Sequence, residues 1–155
     1  MNEHNIKVLK SDEYTIKQSI SELMTQSLIQ EYSPPDNTNE TIKELVNYYH
    51  SREDTVIFYI EVNSQVIGFS WLIKSIDIVT GKDFICILYL FVSEEFRSQK
   101  IGRVLFQKAV DYSKELKIDD VRLSVRAENT GAKKLYESIG FKVYKYEMKL
   151  DEDDI

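Results

Sequence analysis

Cysteine, proline, glycine and histidine are all scarce in this 155-residue chain, which holds one Cys, two Pro, five Gly and two His. The single Cys86 excludes an intramolecular disulfide framework and a Cys-rich zinc site. His4 and His50 alone argue against a histidine-cluster metal site, so no metal is expected. So little Gly and Pro excludes collagen-like repeats and flexible linkers built on them. No apolar run reaches the ~18 residues of a membrane span. The opening MNEHNIKVLK lacks the apolar centre of a signal peptide. What is present is the composition of a globular protein, with 43% hydrophobic and 30% charged residues. A chain this long buries roughly 68–70% of its unfolded surface around one core. The expectation is one domain over residues 1–150, cytoplasmic and soluble, followed by a disordered acidic tail at 151–155.

The net charge is −6, which argues against a nucleic-acid partner, since phosphate contacts need a basic surface. The charge is uneven. Residues 1–80 carry net −6, residues 81–150 net +4, and the tail Asp151-Glu152-Asp153-Asp154 a further −4. Two regions of opposite sign suit two ligands of opposite preference; a solvated surface with chance bias fits equally.

The hydrophobic pattern orders the chain as β-α-α-β-β-β-α-β-α-β. Ile6 to Leu9 opens as a strand. Ser11-Asp12-Glu13 starts a helix whose stripe is Ile16, Ile20, Leu23, Met24 and Leu28. Ser33-Pro34-Pro35-Asp36 ends it, and Asn37 with Glu40 forms a capping box for a second helix carrying Ile42, Leu45, Val46 and Tyr49. Thr55–Val62 and Gln65–Ile73 form a hairpin across Asn63-Ser64. After a turn at Thr80–Asp83, Phe84–Val92 is apolar almost throughout, as in a strand covered on both faces. Ile101, Leu105, Ala109, Tyr112 and Leu116 make a helix, and Val121, Leu123 and Val125 alternate as a strand. A short helix ends at Gly140, and Tyr144, Tyr146, Met148 and Leu150 alternate as a last strand. Mixed hairpins and crossover helices imply an α/β (α+β) layered domain: a mostly antiparallel central sheet flanked by helices.

Two stretches carry chemistry. In Leu90–Arg103 a strand ends, a polar loop follows and a helix begins. Free backbone N–H groups at Gln99 to Arg103 would converge there, with the positive helix end behind them. Arg97, Lys100 and Arg103 crowd that end, which is unfavourable unless an anion such as a pyrophosphate sits among them. An ordinary strand–helix connection with exposed bases is the plain alternative. In Asn129–Phe141, Leu135 and Ile139 can face a core. Tyr136 sits beside that stripe, either as core or with its hydroxyl toward a cleft.

Together these stretches resemble the GNAT superfamily of N-acetyltransferases. Arg97-Ser98-Gln99-Lys100-Ile101-Gly102 is similar to the family's [RQ]-x-x-G-x-[GA] motif, and Asn129, Ala132, Leu135, Tyr136, Gly140 and Phe141 fill N-x-x-A-x-x-L-Y-x-x-x-G-F at every named position. Two positions depart from the pattern. Lys100 stands where the family has its first glycine; a lysine at negative φ would keep the main-chain N–H and add a charge. Tyr89 stands where many relatives carry an acid.

The resemblance implies a GNAT-like sheet and acetyl-CoA as co-substrate, held by the main chain of Leu90, Phe91 and Val92. Arg97, Ser98, Gln99, Lys100, Ile101, Gly102 and Arg103 would take the pyrophosphate, and Asn129, Lys133 and Tyr136 would lie along the cofactor. Tyr136 would be the general acid for the departing thiolate. With a thiol near pKa ~8.5 and a phenol near ~10, that transfer is feasible. A lysine-like amine near ~10.4 must instead lose a proton before attack. Glu61, on a central strand, is a weak base candidate, and an exposed strand charge is its plain alternative. The acceptor, a cationic amine of a small molecule or peptide, would meet the first two helices, the early hairpin and the Ser75–Asp83 turn. Tyr48, Tyr49, Tyr59 and Trp71 are available there. A non-catalytic acyl-CoA-binding or sensor module is the alternative. The last strand could also serve a homodimer.

Overall fold

The hairpin predicted at Asn63-Ser64 organises the sheet. Both residues have positive φ, 50° and 63°, the backbone of a type I′ turn whose twist matches that of the flanking strands. The computed structural model describes residues 5–32 and 38–150. In chain order the elements are β1 (Ile6–Val8), α1 (Tyr14–Tyr32), α2 (Thr38–His50), β2 (Thr55–Val62), β3 (Gln65–Ile76), β4 (Asp83–Val92), a single 3-10 turn at Glu94–Phe96, α3 (Ile101–Glu115), β5 (Val121–Leu123) and α4 (Thr130–Ile139). The sheet runs β1-β2-β3-β4-β5, antiparallel except for the β4–β5 pair. The Ser33–Asp36 stop and the Asn37 cap lie outside the described residues. Just ahead of α1 the Glu13 Oε2 accepts the Lys10 N–H at 2.7 Å, a bond that ties down the approach to the helix.

The chain falls into two compact units, residues 1–124 and 125–155. In the first, strand alternation sorts the sheet into two faces. Ile57, Tyr59, Phe69 and Trp71 pack with Ile20 of α1 and with Ile42 and Val46 of α2. Ile60 and Ile67 pack on the other face with Ile101 and Leu105 of α3. Burying a side chain such as Leu105 contributes roughly 1.5–3 kcal/mol, so this contact pins the first turns of α3 to the sheet.

β4 departs from expectation. Ile85 and Ile87 are buried, but Leu88 is exposed and Tyr89 to Val92 are only half-covered. The reason lies in the pairing: β5 meets β4 only at Ile85–Ile87 and is correspondingly short.

In the second unit α4 is capped at both ends. Asn129 Oδ1 accepts the Ala132 N–H at 3.1 Å, and Gly140 takes φ 111°, a backbone that glycine adopts without steric cost. The expected last strand is absent: residues 141–150 adopt no regular structure, with Tyr146 85% and Met148 92% exposed. Alternation supplies two faces for a strand, but the strand itself requires a hydrogen-bonded neighbour.

Candidate functional site

The second half of β4 is an open edge. Trp71 pairs with Tyr89 and Leu72 with Ile87, so Leu88 is an extra residue, a bulge, placed where β5 stops. From Leu88 onward β4 pairs with β3 alone. The Ser93 N–H donates to the Ile67 carbonyl at 2.8 Å, which fixes the phase of the ladder. By the two-residue period, Phe91 turns its main-chain groups toward β3, and Leu90 and Val92 turn theirs to the open edge. Arg97 Nε already takes the Val92 carbonyl at 3.2 Å. Of the three main-chain positions expected to serve a ligand, Leu90 turns both its groups to the open edge and Val92 keeps its N–H.

The edge leads directly into the cationic loop. Glu94–Phe96 makes its 3-10 turn, Gln99 Nε2 donates to the Glu95 carbonyl at 3.2 Å, and α3 starts. The first helical bond there is Val104 N–H to the Lys100 carbonyl, 3.0 Å. The N–H groups of Ile101, Gly102 and Arg103 therefore precede the ladder and point out of the helix end. Exposed Arg97, Lys100 and Arg103 surround them. One detail reverses expectation: Lys100 adopts φ 65°, not a negative φ, and Ser98 does the same. The chain needs a left-handed residue to swing from the loop into α3, and here a lysine supplies it at a steric cost. Gly68 on β3 permits the close seating of α3. A Cβ there would lie 3.0 Å from the Phe91 carbonyl oxygen, 3.2 Å from Leu105 Cδ1 and 3.3 Å from Ile101 Cγ2.

The Asn129–Phe141 stretch in the second unit has a physical explanation for most of its spacing. The Phe141 N–H bonds the Tyr136 carbonyl at 3.0 Å and the Gly140 N–H bonds the Glu137 carbonyl at 3.1 Å, a Schellman cap. Its apolar contact is the edge-to-face pair of Tyr136 and Phe141, 6.1 Å between centroids. Asn129 opens the helix and Gly140-Phe141 closes it, so the motif is in large part a capping code. It leaves the Tyr136 phenol, half-buried on the helix, as the group with acid–base chemistry. Lys133 stands exposed on α4, with Glu137 at 4.0 Å.

The expected acceptor residues divide. Tyr59 and Trp71 are 1% and 2% exposed and belong to the core rather than to a ligand surface. The Tyr59 hydroxyl donates to Glu13 Oε1 at 3.0 Å, and burial, with Glu13 and Glu61 nearby, pushes its pKa up to about 12. Tyr48 is exposed, with the Arg52 guanidinium 5.8 Å from its ring centroid, and the Tyr49 side chain lies outside the described residues. The Ser75–Asp83 turn closes the β3–β4 hairpin at the sheet end opposite Val92, away from the cationic loop. It is fixed there: Asp77 Oδ1 accepts the Val79 and Thr80 N–H groups at 2.9 Å, and Asp77 Oδ2 pairs with Arg122 at 2.7 Å. Glu61 pairs with Lys7 at 2.6 Å, and the ladder sets it opposite Val66, two residues beyond the level of Val92. The fold does not bring it to the bulge. Among the described residues no group of three or more His, Cys, Asp or Glu could hold a metal ion, and no helix is long and apolar enough to cross a membrane.

Three features of the site escape the sequence patterns. Gly68 had a signal, a lone glycine inside a strand, which marks a close backbone approach. The Leu88 bulge hides in an apolar run with no alternation to break. The Glu13–Tyr59 bond joins residues 46 apart and has no local signature.

Comparison with known proteins agrees with this geometry. The chain matches the acetyltransferase (GNAT) family over residues 19–141. It is 27% identical over 103 residues to the Xenopus laevis protein named "Probable N-acetyltransferase camello", covering 66% of this chain and 46% of that one. It is 32% identical over 95 residues to an uncharacterized N-acetyltransferase of Methanocaldococcus jannaschii, covering 58% and 40%. The chain thus spans less than half the length of these two relatives. Among solved structures, the protein described as "Putative acetyl transferase from Pyrococcus furiosus" superposes with a TM-score of 0.81 at 23% identity, covering 95% of this chain and 99% of that one. An aminoglycoside N-acetyltransferase in complex with CoA superposes with a TM-score of 0.73 at 15% identity, covering 96% and 98%. The structural likenesses establish the shared fold, and the family match over most of the chain establishes the membership: this protein belongs to the acetyltransferase (GNAT) family.

Proposed function

We propose that this chain moves an acetyl group from acetyl-CoA to a primary amine by direct attack of the amine on the thioester. The observation that carries the reading is the continuity of an open strand edge with a cation-rich helix start whose first N–H groups precede the helical ladder. From the Leu88 bulge to Val92 the edge spans about 13 Å at 3.3 Å per residue. A ligand with a phosphate end and an extended amide-bearing arm fits that sequence of groups. The residues suit CoA: Arg97, Lys100, Arg103 and the N–H groups ahead of α3 would take the pyrophosphate, and Leu90 and Val92 would pair with the arm. The thioester would then lie near Leu88 and Tyr89. A CoA-bound structure of a neighbour with this fold supports the choice of ligand.

In the reaction a new C–N bond forms at the acetyl carbon and the C–S bond breaks. The amine loses a proton to solvent water, and Tyr136 gives its proton to the departing thiolate. Support for Tyr136 is its place in the family motif and its chemistry, a phenol that stays protonated at neutral pH and can donate to a thiolate forming beside it. Asn129 and Lys133 would lie along the cofactor. We take residues 1–150 as one catalytic domain. We place the reaction in the cytoplasm, a setting in which a free thiol such as Cys86 stays reduced.

The absence of a carboxylate at Tyr89 favours a second reading, an acyl-CoA-binding module without transfer. One set of measurements separates the two. Purified protein with acetyl-CoA and a panel of amines should release free CoA thiol with at least one amine. Tyr136→Phe should lower kcat by about a hundredfold to ten-thousandfold with little change in acetyl-CoA affinity. Arg97→Ala with Arg103→Ala should weaken acetyl-CoA binding, and the loss should shrink in high salt. Binding without transfer to any amine would leave the module reading standing.

A further inference from the structure

We infer that the acceptor is a monoamine carried on an aromatic or bulky apolar group, seated against Tyr89 and Phe91; the inference rests on the acetyl-transfer reading above and narrows it. Tyr89 follows the bulge directly, so it stands at the proposed reacting end of the open edge. It and Phe91 face the α1–α2 side of the sheet and are half-covered, while Leu90 and Val92 face α3. Both rings lie against the fully buried Phe69: Tyr89 at 5.9 Å and 14° between planes, Phe91 at 5.6 Å and 27°. Rings stacked on a buried ring are held in place before a ligand arrives, so little ordering cost falls on binding. Ile16, Leu23, Met24 and Leu28 of α1 pack into the same cluster and continue the apolar wall.

A polyamine or an aminoglycoside needs several carboxylates, and three described ones in the first half of the chain have partners of their own. Glu13 is bonded to the Tyr59 hydroxyl and the Lys10 N–H. Glu61 is paired with Lys7 and lies beyond the end of β4. Glu22 on α1 takes the Gln18 amide at 2.9 Å and faces solvent. What remains for the acceptor is an aromatic surface. It can cover an apolar body by stacking and meet one ammonium through a ring face.

The test uses the full chain and two readouts. Phenethylamine titrated calorimetrically into protein saturated with CoA should bind saturably. Tyr89→Leu should weaken that binding about tenfold, and Tyr89→Phe should keep it. In turnover, kcat/KM for phenethylamine should exceed that for spermidine by at least about tenfold, and Tyr89→Glu should collapse or invert the ratio. Phe91→Leu provides a second lesion of the wall should Tyr89→Leu fail to fold. Failure of phenethylamine to bind, a preference for spermidine, or a ratio unmoved by Tyr89→Glu overturns the inference. Transfer to spermidine alone overturns it while leaving the enzyme reading intact. Phenethylamine binding without transfer to any amine sustains the pocket and removes the enzyme.

Discussion

Lys100→Gly should stabilise the protein even though it deletes a long side chain. Lys100 holds φ 65° at the entry to α3, and nothing bonds its side chain into the cap. A residue with a Cβ in that region carries about 1–2 kcal/mol of steric cost. Glycine removes the cost but has more freedom to lose on folding, about 0.5–1 kcal/mol. The net gain is about 0.5–1 kcal/mol, a rise of about 2 °C in Tm for a chain of this size. A second effect has the same sign. A cation at a helix N-terminus opposes the macrodipole by about 0.3–1 kcal/mol at low salt, so losing it also helps. Lys100→Ala separates the two, because it removes the charge and keeps the strained backbone. Urea and thermal unfolding of both variants in 1 M salt, where the charge effect is screened, should leave Lys100→Gly more stable than wild type and Lys100→Ala no better than it. Equal stabilisation by Ala and Gly in high salt would refute the backbone argument.

Three further outcomes follow from the same geometry. Gly68→Ala should cost about 1–3 kcal/mol in urea unfolding, since the new Cβ meets a backbone carbonyl and must displace α3; a neutral result would deny the close seating. Tyr59 has a folded-state pKa near 12 against an ordinary 10.0, so its stabilising share is full below about pH 10 and is lost as pH rises toward 12. Tyr59→Phe should remove a tyrosine that titrates above the ordinary range from the ultraviolet absorbance titration and cost about 1 kcal/mol at neutral pH. Asp77 is held near pKa 2 against an ordinary 3.8, first by the Thr80 N–H and then by Arg122. Its contribution is present above about pH 4 and disappears as pH falls through 2. Asp77→Asn should therefore be less stable than wild type at pH 7, and the gap should close in acid denaturation series below pH 4.

Most of the sheet was legible because its signals are local. Asn63-Ser64 between two β-branched runs fixed a hairpin, and Asn129 with Gly140 bracketed a helix, since turn and cap chemistry act within four residues. Other features depend on pairing partners far along the chain. The run Phe84–Val92 reads as a fully buried strand, yet its second half is open because β5 ends at Leu123. Tyr144 to Leu150 alternates like a strand and forms none. Within the site, the gathering of cations at the start of α3 was readable from the spacing of Arg97, Lys100 and Arg103. The left-handed Lys100 was not, because the geometry of the turn overrides the preference of the residue that fills it. Tyr59 and Trp71 looked like ligand aromatics until the register placed them inside the core, whereas Tyr89, noted only as a missing acid, came to the surface beside the bulge.

The central claim is tested most directly by following CoA thiol release from acetyl-CoA, with and without an amine, alongside mass analysis of the amine. The account predicts thiol release that depends on the amine, with one acetyl group appearing on the amine for each thiol released. Thiol release that ignores the amine, or none across arylalkylamines, polyamines, aminoglycosides and peptides while acetyl-CoA still binds, would contradict it.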